Sequence, residues 1–158
     1  ENNFSRIERI VKKYSPRKLI ILGDLFHSKY SIDKTLQKKV EDLSQLLKTN
    51  VELVLGNHDA GCKTRNIKVL DIKKTNNITF SHEPVNLTDN KTLNICGHYH
   101  PKLYLKNKGD KLSFRCFAMD MKKNILYLPA FGDLTGGYPC KKSFKKWAII
   151  SEKEILEI

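Results

Sequence analysis

Residues 18–24 read KLIILGD and residues 51–59 read VELVLGNHD, so that each apolar run ends in glycine and polar residues. Short apolar runs bounded by such residues are typical of buried parallel strands. Between the two runs, leucines and a valine recur at helical spacing and predict a helix over residues 33–48. A strand, a helix and a second strand with short connections predict a βαβ unit.

The flanking sequence extends this pattern into a mixed α/β chain. Apolar residues at helical spacing, closed by Pro16, predict a helix over residues 3–14. After residue 75 the sequence predicts strands separated by turn residues, and the last of them is an edge strand. These strands cover residues 78–81, 93–96, 112–119, 125–128, 146–150 and 154–158. No composition break divides the chain, so we expect one domain over residues 1–158.

The composition limits the classes of protein to consider. The apolar runs are only a few residues long, whereas a membrane-spanning helix needs about 20, so a membrane partner is not expected. Four cysteines without a Cys-x-x-Cys pair indicate reduced thiols and a cytoplasmic protein. The formal net charge of +12 favours a polyanionic partner such as nucleic acid. Only five of the 29 basic residues are arginine, however, and a lysine-rich chain also follows from an AT-rich genome.

Polar side chains follow four of the predicted strands at the point where each strand ends. In open α/β sheets, ligands bind at the carboxyl ends of parallel strands. Each residue alone has an ordinary explanation as a turn or a helix cap. Together they predict a site for divalent metal ions, because carboxylate, amide and imidazole groups suit Mn²⁺, Fe²⁺ or Zn²⁺. The residues are Asp24, Asn57, His58, Asp59, His82, His98 and His100.

Three motifs give this pattern a family resemblance. GDLFH at residues 23–27, GNHD at 56–59 and GHYHP at 97–101 resemble the ordered motifs of the calcineurin-like metallophosphoesterases. The segment Arg115-Cys116-Phe117 and the run LPAFGDLTGG at residues 128–137 are similar to the DNA-ligase-associated metallophosphoesterases. That subgroup is bacterial and is linked to DNA repair and nuclease activity.

The resemblance implies a four-layer α/β/β/α sandwich with mixed sheets and two divalent metal ions, manganese first and zinc or iron as alternatives. It implies that Asp24 bridges the two ions. It further implies that Asn57, His82 and His98 complete the ligands of one ion and that His100 is a ligand of the other. His58 is then the histidine that contacts the phosphate and aids departure of the leaving group, with Asp59 orienting it. His27 is a candidate for the rim of the site, with plain solvent exposure as the alternative.

One family motif is absent from this sequence. No Asp-x-His occurs before Asp24, although the resemblance predicts this pair, which supplies two ligands of one metal, at the end of an opening strand. We therefore expect an N-terminally truncated domain that lacks the first strand of the fold.

These observations predict a metal-dependent phosphoesterase that hydrolyses phosphodiester bonds, a nuclease or phosphodiesterase linked to DNA repair. Its partners would be a phosphodiester substrate such as nucleic acid, together with DNA-repair proteins. The alternative is an inactive or single-metal remnant of the fold that acts as a binding or scaffold module. A basic DNA-binding protein without catalysis ranks last, because it leaves the histidines at the strand ends unexplained.

Overall fold

The computed structural model describes residues 3–26, 34–61, 64, 66–89, 91–107 and 110–158, with the backbone alone at 34–37, 106–107 and 110–111. The chain forms two compact units, residues 1–73 and residues 74–158. A single domain over residues 1–158 stays a prediction. Neither described helix has both the length and the apolar character needed to cross a membrane.

The first unit alternates helices and strands. It contains α1 (Asn3–Tyr14), β1 (Lys18–Leu22), α2 (Lys34–Leu47), β2 (Asn50–Val54) and β3 (Lys68–Leu70). The described strands form a parallel sheet in the order β1-β2-β3. The predicted βαβ unit is therefore confirmed, with β2 one residue earlier than the sequence predicted. Both helices lie within one residue of their predicted bounds.

Both helices pack on one face of this sheet. Alternate residues of a strand point to the same face, and Leu19, Ile21, Val51 and Leu53 share one hydrophobic cluster with Phe4 of α1 and Val40 of α2. A second cluster joins the helices through Val11, Leu43 and Leu47. Burial of these side chains fixes β1 and β2 side by side.

Glu52, which lies between Val51 and Leu53 in β2, carries a buried charge between two lysines. Its carboxylate lies 2.8 Å from Lys18 Nζ and 2.5 Å from Lys73 Nζ. The hydrogen bonds from Lys18 and then Lys73 hold the pKa of Glu52 below its usual range, against the opposing effect of burial. Glu52 therefore stays ionised and joins the start of β1 to the end of the first unit.

The second unit is a β-structure over its described residues. Its strands are β4 (Lys73–Thr75), β5 (Ile78–Ser81), β6 (Leu93–Cys96), β7 (Pro101–Asn107), β8 (Asp110–Asp120), β9 (Ile125–Tyr127), β10 (Tyr138–Pro139), β11 (Lys145–Ser151) and β12 (Glu154–Glu157). The strand order is β10-β7-β8-β9-β6-β5-β4, with β11 pairing β8 and β12. The pairs β5-β6, β6-β9 and β10-β7 are parallel, whereas β7-β8, β8-β9, β8-β11 and β11-β12 are antiparallel.

The predicted mixed α/β fold is confirmed, as are the strands predicted after residue 75. Among the described strands β12 pairs with β11 alone, and it is the edge strand that the sequence predicted. The sequence missed four strands, β3, β4, β7 and β10. The first sheet is parallel in its described pairs, so the mixture of directions that the sequence predicted for both sheets is confined to the second.

Candidate metal centre

Asp24 stands at a sharp turn immediately after β1. Gly23 has a φ of 79° and Asp24 a φ of 53°, so both adopt the left-handed conformation. For a non-glycine residue this conformation costs about 1–2 kcal/mol, and such strain is concentrated at functional sites. Asp24 is half-buried. The turn fixes the carboxylate at the carboxyl end of the parallel sheet.

Asp59 locks the loop after β1 to the loop after β2. Its side chain is fully buried; Oδ1 accepts a hydrogen bond from Phe26 N at 3.0 Å, and Oδ2 accepts one from Gly56 N at 2.9 Å. Its own amide donates to the Gly56 carbonyl at 3.1 Å. Asp59 therefore positions the backbone on which His58 stands. The orientation of the His58 imidazole by Asp59 stays a prediction.

The two loops also meet at Asp24 itself. His58 N donates a hydrogen bond to Asp24 Oδ1 at 3.1 Å, while the His58 and Asn57 residues are exposed. The loop after β2 thus holds the Asp24 carboxylate through the backbone amide of His58. The first unit brings together the sequence-predicted residues Asp24, Asn57, His58 and Asp59, all at the carboxyl ends of β1 and β2.

Gly56 makes this close approach possible. A Cβ atom at this position would overlap the backbone nitrogen and the Oδ1 atom of Asp24. Only glycine leaves room for both loops, and this explains the glycine that precedes Asn57 in the sequence.

A Gly56→Ala substitution is expected to destabilise the chain by about 2 kcal/mol or more, because the added methyl group forces the two loops apart. Denaturant unfolding of the purified variant measures this change. Gly136→Ala is the matched control, since a Cβ there meets nothing within 4 Å, and we expect a change within about 0.5 kcal/mol. Equal stability of the two variants would contradict the packing argument.

In the second unit, His82 and His98 follow two strands that lie side by side. β5 and β6 are parallel, with Ser81 opposite Cys96, so the residues after them leave the sheet at the same edge. Gly97 N donates to the His82 carbonyl at 3.1 Å and joins the two exits. His82 is buried and His98 is exposed.

The two imidazoles are in direct contact. His98 Nδ1 lies 2.9 Å from His82 Nε2, and the rings meet edge to face with centroids 4.8 Å apart. Two nitrogens that are each about 2.1 Å from one divalent ion, at a right angle, lie about 3 Å apart. The two nitrogens are at hydrogen-bond distance from each other, and the same separation is compatible with two nitrogen ligands of one ion.

His100 lies two residues further along, in a strained segment. His98 has a φ of 21° and His100 a φ of 45°. The His100 carbonyl accepts a hydrogen bond from Tyr138 N at 3.2 Å, which places His100 against β10. The second unit thus places the sequence-predicted residues His82, His98 and His100 at one edge of its sheet. His27, the rim candidate, lies outside the described residues.

The cysteine beside this edge is buried and protonated. Cys96 immediately precedes Gly97 and is fully buried. Burial raises the pKa of its thiol to about 12, so the thiol stays protonated at neutral pH and is a poor nucleophile.

A third loop at this edge, residues 128–137 after β9, was not predicted to be part of the site. β9 is parallel to β6, and Leu128 N donates to the Cys96 carbonyl at 2.8 Å. Arg115 holds the loop through its Nη2 atom, which lies 2.9 Å from the Gly132 carbonyl and 3.2 Å from Asp133 Oδ1. Asp133, for which the sequence predicts no role, is thus a partner of Arg115. Both Arg115 and this loop belong to the segments that carry the subgroup resemblance.

Comparison with known proteins identifies a family and related solved structures. The family model described as calcineurin-like phosphoesterase matches residues 1–149. A solved structure titled "Crystal structure of Pseudomonas putida nuclease MPE" is 28% identical to this chain, with a TM-score of 0.79. The match covers 92% of this chain and 74% of that chain. No curated protein matches. The similarity of structure confirms the metallophosphoesterase fold.

Proposed function

The chain belongs to the calcineurin-like phosphoesterase family, which hydrolyses phosphoester bonds with divalent metal ions, and from this premise we propose that it is a nuclease that cleaves phosphodiester bonds. The observation that carries the proposal is the contact between His82 Nε2 and His98 Nδ1 at the edge shared by β5 and β6. Two support it further: the related solved structure is that of a nuclease, and a net charge of +12 attracts a polyanion.

The proposed metal ligands are Asp24, Asn57, His82, His98 and His100. Their oxygen and nitrogen atoms are the donors that manganese, iron and zinc accept, and manganese is the ion we propose first. A divalent ion bound by these residues would supply a Lewis acid and a water of lowered pKa. The described structure supports two of these residues: the Asp24 carboxylate is held by the His58 amide, and the backbone carbonyl of His82 is held by the Gly97 amide.

Two further residues of the chain, His58 and Asp59, have proposed roles beside the metal ligands. We propose that the His58 imidazole donates a proton to the oxygen that leaves phosphorus, which is a general-acid role. Asp59 holds the loop beneath His58 through the Phe26 and Gly56 amides and is a positioning residue. The link to DNA repair rests on the resemblance of Arg115-Cys116-Phe117 and residues 128–137 alone, and it stays a prediction.

Removal of metal tests this function. After treatment with a chelator and its removal, hydrolysis of bis-p-nitrophenyl phosphate and of a DNA strand is expected to fall at least about tenfold and to recover when Mn²⁺ is added. A His98→Ala variant purified in the same way controls for contaminating nucleases and is expected to recover little activity. Hydrolysis that is insensitive to the chelator, or equal in the variant, would contradict the proposal. The scaffold alternative predicts no metal-dependent hydrolysis in any of these samples.

A further inference from the structure

A run of aromatic side chains extends from the core of the second unit to its surface. The rings of Phe144 and Tyr127 are stacked at 5.5 Å, Tyr127 contacts Tyr99 at 5.4 Å, and Tyr99 stacks on Tyr138 at 5.8 Å. Phe144 is buried, whereas Tyr138 is 62% exposed. Tyr99 stands between the proposed metal ligands His98 and His100 in the sequence. The run therefore ends in an exposed ring next to the candidate metal centre.

The backbone that carries Tyr138 is held firmly. Tyr138 N donates to the His100 carbonyl at 3.2 Å, and Tyr99 Oη donates to the Pro139 carbonyl at 2.6 Å. A Cβ at Gly137 would overlap the His100 carbonyl, so the chain passes as close to His100 as glycine allows. A ring that is fixed before binding loses little conformational entropy when a ligand stacks on it.

A lysine lies beside the segment that carries Tyr138. The Lys102 side chain lies along Gly137, with carbon atoms 3.1 and 3.2 Å from the position of a Cβ there. Lys141 and Lys142 follow two and three residues after Pro139 and are exposed, with Lys141 Nζ 5.7 Å from the centroid of the Phe144 ring. The acidic residue of the preceding loop, Asp133, is paired with Arg115. An exposed aromatic ring on a fixed backbone with a lysine beside it suits single-stranded nucleic acid, since a base stacks on the ring and a phosphate meets the lysine.

We propose that Tyr138 is a specificity-determining residue that stacks on an unpaired nucleobase of the substrate and so makes hydrolysis depend on the base. This proposal rests on the proposed nuclease function, to which it adds a residue and a chemical feature of the substrate. Because the ring is anchored to the backbone of His100, the stacked base would lie next to the phosphate that is cleaved. A small phosphodiester without a base would gain nothing from this contact.

The test compares a base-bearing DNA strand with a fully abasic strand of the same length and charge. For the unmodified chain we expect kcat/KM to be about tenfold or more higher on the base-bearing strand. Tyr138→Ala is expected to bring this ratio close to one, whereas Tyr138→Phe is expected to keep it. Tyr14→Ala is the matched control, because Tyr14 is a similarly exposed tyrosine, 67% exposed, on α1, and its substitution should leave the ratio as it was.

Two further readouts keep the outcomes distinct. Tyr138→Leu retains an apolar side chain without a π-face, so it should behave like Tyr138→Ala if stacking is responsible. Fluorescence anisotropy measures the binding of both strands, in Ca²⁺ or without metal. It tests the preference for bases even if neither strand is cleaved. A ratio that Tyr138→Ala leaves unchanged, or equal affinity of the unmodified chain for the two strands, would overturn the role of Tyr138. Absence of metal-dependent cleavage together with a base preference in binding would instead overturn the nuclease function.

Discussion

An Asp24→Asn variant is expected to lose about a thousandfold or more of the metal-dependent hydrolysis of phosphodiesters. The substitution removes one negative charge at the position that, by family resemblance, is shared by both metal ions. Metal-ion catalysis contributes several kcal/mol, and every 1.36 kcal/mol corresponds to a factor of ten in rate. The loss should be similar for every phosphodiester, because the charge acts on the ions rather than on a particular leaving group.

The Asp24→Asn substitution can keep the hydrogen bond that the side chain accepts while it removes the charge. The carboxylate oxygen Oδ1 accepts the His58 amide hydrogen, and the side-chain carbonyl of asparagine can accept the same bond. We therefore expect the free energy of unfolding to change by less than about 1 kcal/mol, while the metal content measured by mass spectrometry falls.

The matched control for Asp24→Asn is Asp89→Asn. Asp89 is an exposed carboxylate that also accepts backbone amides, from Lys91 and Thr92, but it follows none of the described strand ends that carry the site. Its substitution should leave hydrolysis within a factor of two or so. If the Asp24→Asn variant retained more than a tenth of the rate and its full metal content, the assignment of Asp24 as a metal ligand would be wrong.

The elements that carry the candidate site could be predicted because each is defined by its local sequence. β1, β5 and β6 are apolar runs that end at a glycine or a polar residue, and burial is the only favourable environment for such runs. Once the strands are parallel, the residues after them necessarily emerge at one edge, as His82 and His98 do. The neighbourhood of those two histidines was therefore predictable, whereas their direct contact at 2.9 Å was not.

The missed strands depend on partners that are distant in the sequence. β10 is only two residues long and exists because Tyr138 and Pro139 pair with Pro101 and Lys102 of β7. β7 begins with a proline, and its short apolar alternation indicates a strand only beside β8, with which residues 102–107 pair. β3 and β4 are only three residues each, too short to show an alternation, and β4 contains two lysines.

The contacts that position the site were also beyond the reach of sequence patterns. The motif GNHD places Asp59 next to His58, yet its carboxylate binds the amide of Phe26, 33 residues away. Arg115 likewise binds a loop that is distant in the sequence, through contacts with Phe131, Gly132 and Asp133. Motifs indicate which residues are used, but hydrogen bonds between loops are fixed only when the whole core has formed.

A His58→Ala variant is expected to slow the cleavage of a DNA strand by about a hundredfold or more. The leaving group of a DNA phosphodiester is an alkoxide, which needs a proton as it departs, and a positioned general acid typically contributes 10²–10⁴-fold. Bis-p-nitrophenyl phosphate releases a stabilised phenolate that leaves without a proton. Its hydrolysis should therefore fall by less than about tenfold in the same variant.

The loss of rate on DNA, compared with the loss of rate on bis-p-nitrophenyl phosphate, distinguishes the possible roles of His58. The side chain is exposed and only the backbone amide binds Asp24, so truncation to alanine should keep the fold and the Asp24 contact. A large loss on DNA with a small loss on the activated substrate identifies proton donation. Equal losses on both substrates, the pattern expected for Asp24→Asn, would mean that His58 acts on the phosphate or the metal ions instead. Because both variants are measured on both substrates, a general defect in folding cannot imitate the first pattern.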